Sequence, residues 1–88
     1  MSYFKAYQRE KDGKTHVWYY RGKTLKYHIR QQDDGWFFAY TSKNFGHLVP
    51  TIELARQRIE ERIKLIDSLA GSKKTRITYD YGVYGVTK

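Results

Sequence analysis

The chain has no cysteine, a single proline, and no apolar run that approaches a membrane span among its 88 residues. Without cysteine there is no disulfide framework, no thiol nucleophile and no cysteine-ligated zinc. A spanning helix needs roughly 18 apolar residues in succession, and Met1 to Glu10 is too polar for the apolar region of a signal peptide. A soluble, cytoplasmic protein without membrane association is the expectation. Acidic residues are also scarce, 9 against 17 Lys and Arg, for a formal charge of +8. That balance argues against a mimic of nucleic acid, which needs a negative surface. Phosphate-cradling Walker loops, nucleophile elbows and dinucleotide fingerprints are missing too. His16, His28 and His47 are spread along the chain without paired carboxylates at ligand spacing, so neither zinc nor another cofactor is expected.

Against these absences stand nine tyrosines, four phenylalanines and two tryptophans. Their number argues for a packed fold in spite of a mean hydropathy of −0.82. The length suits one domain, too small for two cores yet large enough to fold without a metal or disulfide.

The positive charge is unevenly placed. Residues 1–32 carry eight cations against two carboxylates, and residues 71–88 carry four against one. Residues 51–70, in contrast, hold four of each sign. Basic segments on both sides of a neutral one indicate which parts would face a polyanion.

The neutral segment reads as a helix, because Ile52, Ala55, Ile59, Ile63, Ile66 and Ala70 recur at steps of three and four. Thr51 suits its N-cap, Glu53 its first turn and Gly71 a left-handed stop. Arg56 with Glu60 and Glu60 with Lys64 are spaced to pair on its solvent side.

Three strands are predicted ahead of the helix, over Thr15–Arg21, Thr24–Gln31 and Trp36–Ser42. Gly22-Lys23 supplies the first turn and Asp33-Asp34-Gly35 the second. With Gly22-Lys23 as a two-residue turn, Tyr19 opposes Lys26 and Val17 opposes His28. The outer face then carries Tyr19, Arg21, Lys26, His28 and Arg30, and the core side carries Trp18, Tyr20, Leu25, Tyr27 and Ile29. A two-residue Asp34-Gly35 turn would send Trp36, Phe38 and Tyr40 inward, whereas a three-residue loop would send Phe37, Ala39 and Thr41 there; the first register is favoured. Residues 1–14 read as a basic arm or short edge strand, with Arg9 to Lys14 an exposed loop. Thr75 to Val86 is either a fourth strand or a tail. The expectation is thus one α+β domain at 15–71, an antiparallel three-stranded meander with one helix packed on it, followed by a Tyr-rich basic segment at 72–88.

A basic sheet face points to nucleic acid, since outward cations at every second position can meet phosphates and base edges. The candidate contacts are Lys14, Tyr19, Arg21, Lys23, Lys26, His28 and Arg30, joined by Lys73, Lys74 and Arg76. The Arg21-Gly22-Lys23 turn, basic strand, Asp-Asp-Gly turn, aromatic strand and helix opening at Pro50-Thr51-Ile52-Glu53-Leu54-Ala55 resemble the sheet-plus-helix DNA-binding domains of phage and transposon integrases. The plant ethylene-response-factor domain is similar. The likeness is one of topology over Thr15 to Ala70. It implies that the sheet enters the major groove of double-stranded DNA with Arg21, Lys26, His28 and Arg30 facing it, in a non-catalytic accessory or regulatory factor of phage or mobile-element type.

Three alternatives stay open. An RNA-binding protein would stack bases on aromatics such as Phe37, Tyr19 or Trp36. A small ribonuclease would use His28 as acid or base beside Lys26 and Arg30. An adaptor for an acidic protein partner, or a homodimer, would use the sheet edge with Tyr79, Tyr81 and Tyr84.

Overall fold

A computed structural model describes residues 2–42, 44–71 and 74–81. It is an α+β fold, one mixed six-stranded sheet with one helix against it. The strands are β1 (Ser2–Lys11), β2 (Lys14–Arg21), β3 (Thr24–Gln31), β4 (Phe37–Tyr40), β5 (Gly46–Val49) and β6 (Thr75–Tyr81); the helix α1 (Ile52–Leu69) precedes β6. Their order across the sheet is β5-β4-β3-β2-β1-β6. The first five form an antiparallel meander. After α1 the chain returns at the far edge, where β6 pairs parallel with β1.

The expected three-stranded sheet is therefore half of the observed one. The segment expected as a basic arm or short edge strand is neither: Ser2–Lys11 is a ten-residue strand paired on both sides, between β2 and β6. Asp12 (φ 55°) and Gly13 (φ 75°) both take left-handed backbone, the requirement of a tight two-residue hairpin whose twist matches its strands. The segment expected as a basic loop is instead the closure of β1 on β2. Gly46–Val49 adds β5, and Thr75–Tyr81 is indeed a strand.

Two register expectations are reversed. Gly22 does turn with positive φ (62°), and Arg21 faces Thr24 and Tyr20 faces Leu25. A bulge then places Lys26 opposite no residue of β2, so Tyr19 faces Tyr27 and Trp18 faces His28. Because side chains alternate at every residue, one extra residue turns the rest of β2 over. Val17 and Tyr19, expected outside, are fully buried, while Trp18 and Tyr20, expected inside, lie on the outer face. In β4 the loop is longer than a two-residue turn. The Gln32 amide donates to the Trp36 carbonyl at 2.7 Å and the Gly35 amide to the Gln32 carbonyl at 3.0 Å. Phe37 then pairs with Gln31, which buries Phe37 and Ala39 and puts Phe38 and Tyr40 outside.

The core consists of Phe4, Ala6, Val17, Tyr19, Ile29, Phe37, Ala39 and Val49 from the sheet and Ala55, Ile59 and Ile63 from α1. Burying each Ile contributes about 1.5–3 kcal/mol in transfer free energy. Thr51 caps α1, its Oγ1 accepting the Leu54 amide at 3.2 Å, and Gly71 (φ 83°) follows its end as expected. The inward stripe departs from expectation in the last turn. Ile66 is exposed, and Asp67 is buried instead, accepting a hydrogen bond of 2.7 Å from the Thr75 hydroxyl. Glu60 likewise turns to the sheet, accepting from Tyr79 at 2.6 Å. These contacts run in opposite order along the two elements, so α1 lies antiparallel to β6. Arg56 donates to Gln8 of β1 instead of pairing with Glu60. The described ion pair within α1 is Arg58 with Glu61.

Candidate nucleic-acid interface

The face away from α1 is built by strand alternation and by the bulge. Cross-strand register lines up Tyr7, Trp18, His28 and Tyr40 in one row perpendicular to the strands. The neighbouring row holds Arg9, His16, Arg30 and Phe38. The rings are in contact. His16, Trp18 and His28 have mutual centroid distances of 5.3–5.6 Å and planes within 8° of one another. Tyr40 continues the row 5.8 Å beyond His28, and Phe38 tilts against Tyr40 at 4.5 Å. Tyr7 and Tyr20 meet edge to face at 83°. Gly46 is required beside this row, because a Cβ there would collide with the Phe38 ring and the Ala39 carbonyl.

Cations border the rings. The Lys5 ammonium lies 5.2 Å from the Tyr7 centroid and the Arg9 guanidinium 5.6 Å. Asp80 of β6 steadies both, at 3.9 Å from Lys5 and 3.1 Å from Arg9. Lys26 and Arg30 rise from β3 around a recess of about 420 Å³ that Leu25, His28 and Tyr40 also line. Lys23 at the β2–β3 turn borders a second recess, of about 520 Å³, walled by Tyr7, Trp18 and Tyr20. A third, of about 640 Å³, lies at the opposite end of the hairpins, where Lys11, Lys14, His16 and Arg30 are mixed with Asp12, Asp33 and Asp34. There Lys14 is already engaged by Asp33 at 2.6 Å, which holds that carboxylate below its usual range.

His16 Nδ1 and His28 Nε2 are 3.3 Å apart, with ring planes 8° apart and centroids 5.5 Å apart. The centroid distance is close to the nitrogen distance plus two ring radii, so the imidazoles lie edge to edge in nearly one plane and share an N–H···N hydrogen bond. Burial, reinforced by His16 and Arg30, pushes His28 down to about 4. Burial also lowers His16, with Lys11, Arg30 and Lys14 adding to the effect. The pair is neutral near pH 7, and the charge of this face comes from lysine and arginine.

The sequence-derived candidates divide accordingly. Lys26, His28 and Arg30 share the outer face, with Lys23 at its end. Tyr19 is not on it. Its hydroxyl lies under α1, 2.7 Å from that of Tyr79, which donates to Glu60, and burial raises both phenols well above their ordinary range. Arg21 is exposed, but alternation from Tyr19 places it on the helix side, where its charge acts on Tyr27. Arg76, opposite Tyr3 on β6, and Lys74 before it are exposed and away from the central row. Lys73 and Tyr84 lie outside the described residues. Of the expected interface tyrosines, Tyr79 is half-buried and Tyr81 is exposed, with the Arg56 guanidinium 5.1 and 5.2 Å from their rings. Of the aromatics expected as base platforms, Phe37 and Tyr19 are buried and Trp36 is exposed.

Sequence reasoning missed Lys5, Tyr7, Arg9, Trp18, Tyr20, Phe38 and Tyr40. For β1 a signal existed, since Lys5, Tyr7 and Arg9 alternate with Phe4, Ala6 and Gln8. For β2 and β4 it did not, because the bulge and the loop length decide the face. No family model matches the chain, and comparisons with curated proteins and with solved structures return no match. Among the described residues no group of three His, Cys, Asp or Glu could hold a metal ion, and no helix is long and apolar enough to cross a membrane.

Proposed function

We propose that this protein is a non-catalytic nucleic-acid-binding module that takes a single strand, of RNA or DNA, on the outer face of its sheet. The observation that carries the reading is the row of rings from Tyr7 to Tyr40 bordered by Lys5, Arg9, Lys23, Lys26 and Arg30. Each base stacked on an aromatic side chain contributes about 1–3 kcal/mol irrespective of sequence. Each phosphate neutralised by a cation releases counterions. Rings in the middle with cations around them offer both at once.

Width favours a single strand over a duplex. Five gaps of about 4.8 Å make this sheet about 24 Å across, while a major groove is about 12 Å wide and admits a helix or a two-stranded ribbon. Double-stranded DNA is retained as the competing ligand on one observation. The β2–β3 hairpin, with Lys23 at its turn and Lys26 bulged out beside it, is itself a ribbon of groove width.

Anisotropy titrations of labelled single-stranded RNA, single-stranded DNA and random duplex, each at two salt concentrations, test the proposal. Tighter, salt-sensitive binding of a single strand is expected. Preference for duplex at both salts would transfer the function to the hairpin, and no binding at low salt would refute nucleic-acid binding altogether.

A further inference from the structure

Three recesses among the described residues of the outer face differ in what they admit. The one beside Lys14 holds three carboxylates, which repel phosphate. The one beside Lys26 has two phenol rings in its lining, Tyr40 and the core-packed Tyr27, with the neutral His28 beside them. The recess between β1, β2 and the β2–β3 turn is walled by Tyr7, Trp18 and Tyr20, with Lys23 at its rim and no acidic residue in its lining.

From this contrast we infer that the Tyr7–Trp18–Tyr20 recess is a nucleobase subsite, in which one base of the bound strand is held against the rings while Lys23 takes the adjoining phosphate. The assignment rests on the single-strand reading above and says where that reading anchors its first base. Tyr7 and Tyr20 stand at 83° to one another and so form two walls of a corner; Trp18 supplies the third. The recess, at about 520 Å³, is within the roughly 300–1,000 Å³ usual for small-ligand sites. Three aromatic walls are also what a quaternary ammonium group seeks. Here, however, Lys5 and Arg9 already lie at the Tyr7 ring and Lys23 closes the rim, so a cationic guest meets like charge on two sides. A flat, uncharged base carrying a phosphodiester meets rings and positive charge where it needs each.

Trp18 makes the site observable. The other tryptophan, Trp36, is exposed at the β3–β4 loop, so Trp36→Phe leaves Trp18 as the single indole reporter. In that background a 12-nucleotide oligothymidylate is titrated twice, once by Trp18 emission and once by anisotropy of an end label. An abasic 12-mer with the same backbone serves as the comparison. Coincident quenching and anisotropy curves are expected, with the abasic strand bound more weakly and without quenching.

Tyr20→Ala should weaken the oligothymidylate about five- to a hundredfold and leave the salt slope intact, whereas Tyr20→Phe should retain affinity. Lys23→Gln should instead lower the slope by about 0.7. Binding of oligothymidylate without any change in Trp18 emission, or equal binding of the abasic strand, would overturn the base subsite while sparing single-strand binding. Failure of every strand to bind would overturn both. Circular dichroism of Tyr20→Ala, expected to match the parent, separates removal of a ring from loss of the fold.

Discussion

The two faces of the sheet use the same strands and nearly the same residue types for opposite ends. Under α1, Tyr19 is fully buried and its hydroxyl is committed to Tyr79 and through it to Glu60. One residue earlier and later, Trp18 and Tyr20 stand on the outer face with their rings lining a recess. An aromatic residue is therefore not a core or a surface signal by itself; its strand phase decides. On the helix face the phenols are tied to one another and to Glu60, whereas on the outer face lysines and arginines stand around rings that contact one another and, at Tyr7, the cations themselves. The first arrangement makes stability, and the second is the one on which the proposed binding depends.

That contrast can be broken from either side. The largest effect should come from the packed face. Ile59→Ala, at a fully buried position, is expected to lower unfolding free energy by about 2–5 kcal/mol in urea denaturation, while the folded fraction still binds a single strand. Next comes Tyr79→Phe. It removes the hydroxyl between Tyr19 and Glu60, leaving a carboxylate without its donor, and should cost about 1–3 kcal/mol by the same measurement.

A smaller effect comes from the histidine pair. Above pH 6.5 the folded and unfolded chains both hold His28 neutral and stability is unaffected. Between 6.5 and about 4 the unfolded chain takes up a proton that the folded chain refuses, so stability falls as pH falls, and below about 4 this group adds no further loss. The loss should be on the order of 1 kcal/mol once solvent screening of the partly exposed ring is allowed for. His28→Gln should flatten the thermal-melt profile over that window, and an unchanged profile would refute the assignment.

The smallest change in stability belongs to the outer face. Lys26→Gln with Arg30→Gln should stay within about 0.5 kcal/mol of the parent. Their effect should appear in binding, as a salt dependence shallower by about 0.7 for each phosphate of a single strand that is no longer neutralised.

Parts of this molecule were legible in the sequence because they follow local rules. The helix was, through its stripe of Ile and Ala, the Thr51 cap and the Gly71 stop. So were β2, β3 and the basic character of Lys26 and Arg30. Three features were not. The bulge at Lys26 brings Tyr19 opposite Tyr27, and no residue type at positions 24–27 announces it. The parallel pairing of β6 with β1 joins segments some seventy residues apart, beyond the reach of periodicity. Asp67 occupies an inward helix position, where the Thr75 hydroxyl meets it from the next element, while Ile66 is exposed. In each case a long-range interaction overrules a local preference. At the candidate site, the bulge and the length of the β3–β4 loop put Trp18, Tyr20, Phe38 and Tyr40 on the outer face.

The pairing of β1 with β6 also sets an order of assembly. During synthesis the meander of β1 to β5 can form early, since its turns are short and its pairings near in sequence. Throughout that interval β1 offers an unpaired edge, the kind of template on which neighbouring chains add strands. Thr75–Tyr81 covers that edge only after the helix has been made. A chain cut before residue 75 is therefore expected to self-associate through β1 in sedimentation measurements, where the full chain is not.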